Sequence, residues 1–201
     1  MQIYFSPTSP YVRKCLVVAH ELGLSSKIEL LPSHAHPVQR DAQIIRSNPL
    51  GKVPTLLCDD GSVLYDSRVI CEYFDDLQGG GLFPKSGPER WQALTLQALA
   101  DGMLDAALLA RYEQAARPEL LRWNDWLAGQ IDKLSTSLAA LEKDSHTLAG
   151  HVDIGTLSVA CALWYVDLRF ADLNWRPRHP GVAAWAADIG LRPSLQASWS
   201  L

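Results

Sequence analysis

Hydrophobic positions in the first 77 residues alternate between short apolar runs typical of strands and three-to-four-residue spacings typical of helices. These patterns predict strands over 2–5, 27–31, 53–58 and 62–65, and helices over 10–22, 38–46 and 67–77. The sequence Asp59-Asp60-Gly61 between the last two strands is typical of a hairpin turn. Because a helix joins the first two strands, we expect a parallel pair there, with the hairpin as an antiparallel addition.

After residue 77 the strand patterns stop. Residues 78–88 contain four Gly and two Pro, a composition typical of a linker. Helical spacing then predicts helices over 89–117, 119–143, 152–170, 180–189 and from 193 onward. Gly150 is expected to cap the third of these helices, with Asp153 reaching back to a main-chain N–H. We therefore predict an α/β domain over 1–77, a linker over 78–88 and an all-helical domain over 89–201.

The composition narrows the class of protein. The chain has 201 residues, a formal net charge of -4 and 48% hydrophobic residues, which fits a globular protein of one or two domains. Its mild acidity argues against a nucleic-acid-binding protein, which usually carries a basic face. The sequence shows neither the roughly 20 apolar residues of a membrane span nor the basic leader of a signal peptide. We expect a cytoplasmic protein with no membrane or nucleic-acid partner.

Cysteine and histidine spacing gives no metal site. The four cysteines are widely spaced and include no Cys-x-x-Cys pair, which argues against a zinc knuckle and a dithiol redox pair. So long a chain also argues against a disulfide framework. His34 and His36 lie on the loop before the second helix without partners at metal-ligand spacing, so we interpret both as solvated. No metal is predicted.

Three segments at element junctions are candidates for chemistry, and the first contains Thr8, Ser9 and Pro10. A hydroxyl at a helix start can face a ligand while free N–H groups and the helix dipole favour negative charge, which suits a bound thiolate. Arg13 and Lys14 are expected to raise the local positive potential. The alternative is structural: Thr8 or Ser9 caps the helix, and Pro10 occupies its first position.

The second segment contains Val53 and Pro54, and the third contains Asp66 and Ser67. Proline lacks an N–H and does not fit a paired strand interior. A cis Val53–Pro54 bond would expose the main chain of Val53 to an extended peptide ligand, whereas the alternative is an ordinary trans proline at a strand edge. Asp66 and Ser67 either cap a helix or bind a ligand. As ligand-binding groups, the Asp66 carboxylate would bind an ammonium, and the hydroxyl and N–H of Ser67 would bind a carboxylate.

Together these segments resemble the cytosolic glutathione transferase family. The resemblance rests on Ser9-Pro10-Tyr11, Val53-Pro54-Thr55-Leu56 and Asp66-Ser67, and it covers essentially the whole chain. The stretch from Tyr165 to Phe170 and the late Arg192-Pro193-Ser194 are similar to small bacterial members of the serine type. The resemblance implies a thioredoxin-like first domain that binds glutathione as co-substrate, an all-helical second domain and a homodimer.

The resemblance also assigns roles to single residues. Ser9 would donate a hydrogen bond to the glutathione sulfur and stabilise its thiolate, with Thr8 and then Tyr4 as the alternative donors. Asp66 and Ser67 would bind the γ-glutamyl end of glutathione, and the main chain of Val53, beside cis-Pro54, would pair with its cysteinyl part. Lys52 would bind the glycine carboxylate. An acid on the partner subunit's first long helix would reach the γ-glutamyl ammonium, with Asp101 and Asp105 as candidates.

The implied activity is transfer of glutathione thiolate to small apolar electrophiles. Family members that form mixed disulfides carry cysteine where this chain has Ser9, and we interpret Cys15 as a buried apolar residue. The alternatives are a non-catalytic glutathione-binding or regulatory protein of the same fold, and a glutathione-dependent reductase or dehalogenase.

Overall fold

The computed structural model describes residues 1–197, so the end of the predicted last helix and domain lies outside the described residues. The strands are β1 Gln2–Phe5, β2 Glu29–Pro32, β3 Thr55–Leu57 and β4 Val63–Leu64. The helices are α1 Pro10–Glu21, α2 Ala42–Ser47, α3 Ser67–Leu77, α4 Gly87–Ala115, α5 Asn124–Lys143, α6 Ile154–Arg169, α7 Pro180–Ile189 and α8 Pro193–Ala197. Contacts divide the chain into one unit from Met1 to Gly87 that also includes the segment from Pro193, and a second unit, Pro88–Arg192.

The first unit contains a mixed four-stranded sheet in the order β2-β1-β3-β4. β1 pairs in parallel with β2 and antiparallel with β3, so Ile3 lies between Leu30 and Leu56. β3 and β4 form the antiparallel hairpin that Asp59-Asp60-Gly61 predicts. The parallel pair and the antiparallel addition expected from the sequence are therefore confirmed.

Apolar side chains of α1 and α3 form the core of the first unit together with the sheet. Val18 of α1 and Phe74 of α3 are fully buried, as are Ile3 and Leu56 of the sheet. Cys15 is also fully buried, as predicted, and its sulfur lies 3.9 Å from that of Cys71. Each buried apolar side chain of this size stabilises the fold by about 2 kcal/mol.

The last described helix, α8, packs in the first unit, whereas the sequence analysis assigned this segment to the all-helical domain. Arg13 of α1 is buried, and its Nη2 donates a hydrogen bond of 2.8 Å to the Leu195 carbonyl. Ser194 donates a hydrogen bond to the Glu21 carboxylate. A buried guanidinium needs acceptors, and α8 supplies one, which helical spacing alone does not reveal.

The predicted start of α2 at residue 38 is wrong by four residues, because side chains satisfy the preceding backbone. His36 Nδ1 accepts hydrogen bonds from the Val38 and Gln39 N–H groups at 3.2 and 3.0 Å. Asp41 then caps α2 by accepting from Gln43 N at 2.8 Å. Side-chain acceptors of this kind compete with helical hydrogen bonds and favour a turn.

The second unit consists of the helices α4 to α7, and the start of α5 differs from the prediction. The helix predicted from residue 119 begins at Asn124, because 119–121 forms a short 3-10 turn and Glu113 accepts from Trp123 N at 2.7 Å. The hydrogen bond from Trp123 N is the largest cause that lowers the pKa of Glu113 below its ordinary value, ahead of the bond from Arg117.

Helix α6 is central to this unit, since twelve of its sixteen residues are buried. Asp153 is its N-cap, and the expectation of Gly150 at that position is wrong. Asp153 Oδ1 accepts from Thr156 N at 2.8 Å, and Thr156 Oγ1 accepts from Asp153 N at 2.9 Å, which together form a capping box. A Cβ on Gly155 would lie 2.7 Å from the Ala93 carbonyl oxygen, so glycine permits the close approach of α6 to α4.

Helix α4 is long and apolar enough to pass a test for a membrane span, with a mean hydropathy of 1.3 over an 18-residue window. Half of that window is buried inside the protein. Core helices of globular proteins pass the same test, so this property alone assigns no membrane role.

Candidate functional site

The three candidate segments meet at one end of the sheet in the first unit. Tyr4 lies opposite Thr55, so the end of β1 lies beside the start of β3. Leu56 lies opposite Leu64, so the end of β4 lies beside the same start. The loops that carry Ser9, Val53 and Asp66 therefore enter or leave the sheet at the same end of these strands.

Ser9 is the N-cap of α1. Its Oγ accepts a hydrogen bond of 3.3 Å from Val12 N, and its carbonyl accepts from Arg13 N. A serine hydroxyl that accepts one hydrogen bond still has its own O–H to donate. Ser9 thus caps α1, as one of the two interpretations predicted. Capping uses only its oxygen as an acceptor, so the Ser9 O–H can still donate to a bound thiolate.

The positive end of the α1 dipole favours an anion near Ser9, whereas exposed cations do not contribute there. The first turn of α1 contains no acidic residue, so its positive end is not offset locally. Arg13 is used in the contact with α8, and Lys14 is fully buried. Any positive potential that these two side chains add near Ser9, as expected from the sequence, therefore comes from buried groups and not from exposed ones.

Val53 lies just before β3, and its peptide bond to Pro54 is cis, as one of the two interpretations predicted. Among the described residues, none forms a hydrogen bond with the N–H or the C=O of Val53. Unpaired main-chain groups at a strand end can add an extended peptide as a further strand. The local geometry thus offers one donor and one acceptor to a peptide ligand.

Asn48 holds this loop in place, and sequence reasoning missed it. Its side chain is 1% exposed, and its Nδ2 donates to Thr55 Oγ1 at 2.9 Å while its Oδ1 accepts from Leu50 N at 3.0 Å. The Thr55 hydroxyl in turn donates to the Lys52 carbonyl at 2.8 Å. Asn48 is therefore a positioning residue that fixes the backbone on both sides of Val53–Pro54.

Replacing Asn48 with alanine should lower the free energy of unfolding by about 2 kcal/mol, because the change leaves buried partners without their hydrogen bonds. It should also weaken binding of any ligand that pairs with Val53. Urea unfolding and calorimetric titration measure the two effects. The exposed Asn124→Ala variant, at the start of α5, is the matched control and should change neither. Full stability in Asn48→Ala would contradict the positioning role.

Asp66 is the N-cap of α3 and is exposed, whereas Ser67 is its first residue and is 2% exposed. Asp66 Oδ1 accepts from Arg68 N at 2.9 Å. Within residues 1–197, no partner occupies Asp66 Oδ2 or the Ser67 N–H. The junction therefore presents one carboxylate oxygen and one helix N–H side by side, and the peptide bond before Asp66 is cis.

Lys52 is exposed, and the structure places a second cation beside it that sequence reasoning missed. The Arg40 guanidinium donates a hydrogen bond to the Pro49 carbonyl. A Cβ on Gly51 would lie 3.2 Å from Arg40 Nη2, and Gly51 has a φ of 62°, which favours glycine. Arg40 therefore lies against the residue that precedes Lys52.

An open cleft of about 590 Å³ lies beside this site at the ends of β1 and β2. Its lining includes Phe5, Ser6 and Pro7 on one side and His34, His36 and Gln39 on the other. Ser9 N donates a hydrogen bond of 3.0 Å to the Ser6 carbonyl, which ties the cleft wall to the start of α1. His34 and His36 are exposed, as predicted, but they also line a cavity.

The other sequence candidates lie in different surroundings. Thr8 is exposed and does not cap α1, and Tyr4 is half-buried within β1. Asp101 is 1% exposed and Asp105 is exposed, both on α4 of the second unit. The four cysteines are buried free thiols. No group of three or more His, Cys, Asp or Glu side chains able to hold a metal occurs between residues 1 and 197.

Comparison with known proteins gives two family matches and a curated relative. Residues 8–77 match the glutathione S-transferase N-terminal domain, and residues 124–188 match the glutathione S-transferase C-terminal domain. The chain is 32% identical to the uncharacterized GST-like protein YibF of Escherichia coli, over 97% of this chain and 96% of that protein. It is also 22% identical to human elongation factor 1-gamma, of which it spans only 45%.

Among solved structures, the chain is similar to a glutathione transferase family member from Pseudomonas fluorescens Pf-5. The crystal structure with bound glutathione has a TM-score of 0.96 and 49% identity, over 98% of this chain and 97% of that one. A second crystal structure, with bound S-(propanoic acid)-glutathione, has a TM-score of 0.91 and 48% identity, over 98% of each chain.

Proposed function

Since this chain belongs to the glutathione transferase family, we propose that it binds glutathione, stabilises it as the thiolate and catalyses its transfer to small electrophiles. Glutathione-bound relatives support binding of glutathione in this family. The observation that carries the proposal is the unpaired main chain of Val53 beside cis-Pro54, because it fits the peptide backbone of a cysteinyl residue.

The two ends of the tripeptide have matching groups on either side of Val53. Asp66 Oδ2 suits the γ-glutamyl ammonium, and the N–H of Ser67 suits the carboxylate on the same carbon. Lys52 and Arg40 suit the glycine carboxylate, since Lys52 directly follows Gly51 and the Arg40 side chain lies against Gly51.

Bound glutathione would supply the nucleophile, since its thiol reacts as the thiolate. Ser9 would donate its O–H to the sulfur while its Oγ remains bonded to Val12 N. The positive end of α1 adds a field that favours the same anion. Every unit by which these groups lower the thiol pKa corresponds to about 1.4 kcal/mol of stabilisation of the thiolate.

Calorimetric titration tests this proposal when it is combined with a conjugation assay using a general arylating electrophile. Binding of glutathione together with conjugation above the solution rate is the expected result. Binding without conjugation would favour a non-catalytic glutathione-binding protein of the same fold. No binding of glutathione would contradict both.

The proposal includes a cytoplasmic homodimer, which rests on the family resemblance. In it, Asp105 is the better candidate for contact with the partner's glutathione, because Asp105 is exposed on α4 whereas Asp101 is buried. Sedimentation velocity is expected to give twice the mass of 22.2 kDa. A monomer at micromolar concentration would contradict this part and leave glutathione binding unaffected.

A further inference from the structure

We propose that the cleft at the ends of β1 and β2 binds the carboxylate of an acid-bearing electrophile, with His34 and His36 as its hydrogen-bond donors. This inference rests on the proposed function, since it names the class of electrophile that the thiolate attacks. It replaces a purely apolar electrophile with one that carries a carboxylate at one end.

The chemistry of the lining supports a short acid. Phe5, Pro7 and Ala35 offer apolar surface for a carbon chain, whereas Ser6, the two histidines and Gln39 are polar. The lining contains no acidic side chain that would repel an anion. Ser6 and Pro7 lie three and two residues before the N-cap of α1, and Ser9 N donates to the Ser6 carbonyl, so a group attached to a sulfur at Ser9 has the cleft as its neighbour.

His36 has a defined donor. Its Nδ1 accepts from the N–H groups of Val38 and Gln39, so the hydrogen of the neutral ring is on Nε2. None of the described residues accepts a hydrogen bond from that Nε2–H. The ring is therefore held in one orientation, with its Nε2–H left to donate to a ligand.

His34 is held by the main chain of the same loop. The main-chain N–H of His34 donates to Asp41 Oδ2 at 3.0 Å, and Asp41 Oδ1 accepts from Gln43 N. The bond from His34 N is the largest cause that lowers the pKa of Asp41, followed by the bond from Gln43 N. Both Asp41 oxygens are thus engaged by N–H groups, which reduces the repulsion this acid would exert on a carboxylate nearby.

The cleft is separate from the cations proposed for the glycine carboxylate of glutathione. Lys52 and Arg40 lie around Gly51, and neither belongs to the cleft lining. Glutathione therefore has its own partners for its glycine end. His34 and His36 can therefore bind a second carboxylate, that of the electrophile.

The proposed electrophiles are unsaturated acids with a double bond next to the carboxylate, because their reaction with the thiolate needs no reactant besides water. The thiolate sulfur bonds to the β-carbon, the π electron pair moves to the α-carbon and the carboxylate, and a proton from water completes the α C–H bond. That proton balances the one lost from the thiol, and nothing is oxidised or reduced overall. Histidine N–H groups on the carboxylate stabilise the negative charge that builds there.

Calorimetric titration with matched conjugates tests the inference. The probes are S-(propanoic acid)-glutathione and its uncharged isostere S-(propanamide)-glutathione, with glutathione itself as reference. We expect the native protein to bind the acid about tenfold more tightly than the amide. In the His34→Ala/His36→Asn double variant the two should bind about equally, with unchanged affinity for glutathione. Asparagine keeps an acceptor for the loop N–H groups, and thermal melting verifies the fold.

Val38→Ala is the matched control, since Val38 is exposed on the same loop and does not line the cleft. Equal affinity of the native protein for acid and amide, or a preference for the acid that persists in the double variant, would overturn the inference. So would weaker binding of glutathione but not of γ-glutamylcysteine by the double variant, because that places the glycine carboxylate in the cleft. Absence of glutathione binding by the native protein would instead overturn the proposed function, and the inference with it.

Discussion

Replacing Ser9 with glycine is expected to lower kcat/KM for glutathione conjugation about 100-fold, the usual cost of losing one donor to a developing or bound anion. Glycine is an acceptable N-cap, so the loss of α1 capping costs only a few tenths of a kcal/mol. The change therefore removes the hydroxyl with little effect on Tm. Steady-state kinetics and thermal melting together measure the two properties.

Matched variants separate Ser9 from its alternatives. Ser9→Thr keeps a hydroxyl and a cap and should retain most of the activity. Thr8→Ala and Tyr4→Phe remove the other two candidate donors and should leave kcat/KM within about threefold of the native value. If Ser9→Gly is fully active while Thr8→Ala or Tyr4→Phe is not, the assignment of the sulfur donor is wrong.

Asp66→Asn is expected to raise the Kd for glutathione by about tenfold or more, because a charge-assisted hydrogen bond to the γ-glutamyl ammonium is lost. Asparagine and aspartate cap helices about equally well, so Tm should change little. Calorimetric titration gives the Kd, and circular dichroism gives the melting curve.

Asp66→Ala provides the comparison, since it removes both the charge and the cap of α3. It should weaken glutathione binding similarly and also lower the free energy of unfolding by about 1 kcal/mol. Unchanged Kd in Asp66→Asn, with lower stability only in Asp66→Ala, would show that Asp66 serves α3 and not the ligand.

Local chemistry explains which parts of the fold were predictable. The hairpin and the parallel pair follow from short-range patterns, the Asp59-Asp60-Gly61 turn and a helix between two strands. Such features depend on a few neighbouring residues, so the sequence contains enough to predict them. The cis bond at Pro54 is different, because the local sequence left cis and trans open and only the family resemblance favoured cis.

The errors arose where one side chain satisfies a distant or unexpected backbone group. His36 and Asp41 hold the loop before α2 and delay its start, and Asp153 takes the cap position expected for Gly150. The contact of Arg13 with the Leu195 carbonyl, 182 positions along the chain, was also not foreseen. Asn48 was missed for the same reason, since only burial shows that its amide organises the loop.

The site itself was partly predictable. Ser9, Val53 and Asp66 lie at one end of the sheet, which the order of strands permits but does not by itself require. Arg40 was missed because its proximity to Gly51 depends on a positive φ that brings the chain back towards it. The cleft lined by His34 and His36 was missed because it forms between two loops that are far apart in sequence.

We propose that the first unit holds glutathione as its thiolate through Ser9 and the start of α1. The most direct test is the ultraviolet absorbance of the thiolate, followed against pH in a complex saturated with glutathione. We expect a pKa for the bound thiol clearly below the ordinary value of about 8.5, and a return towards that value in Ser9→Gly. A bound thiol that titrates like free glutathione in the native protein would contradict it.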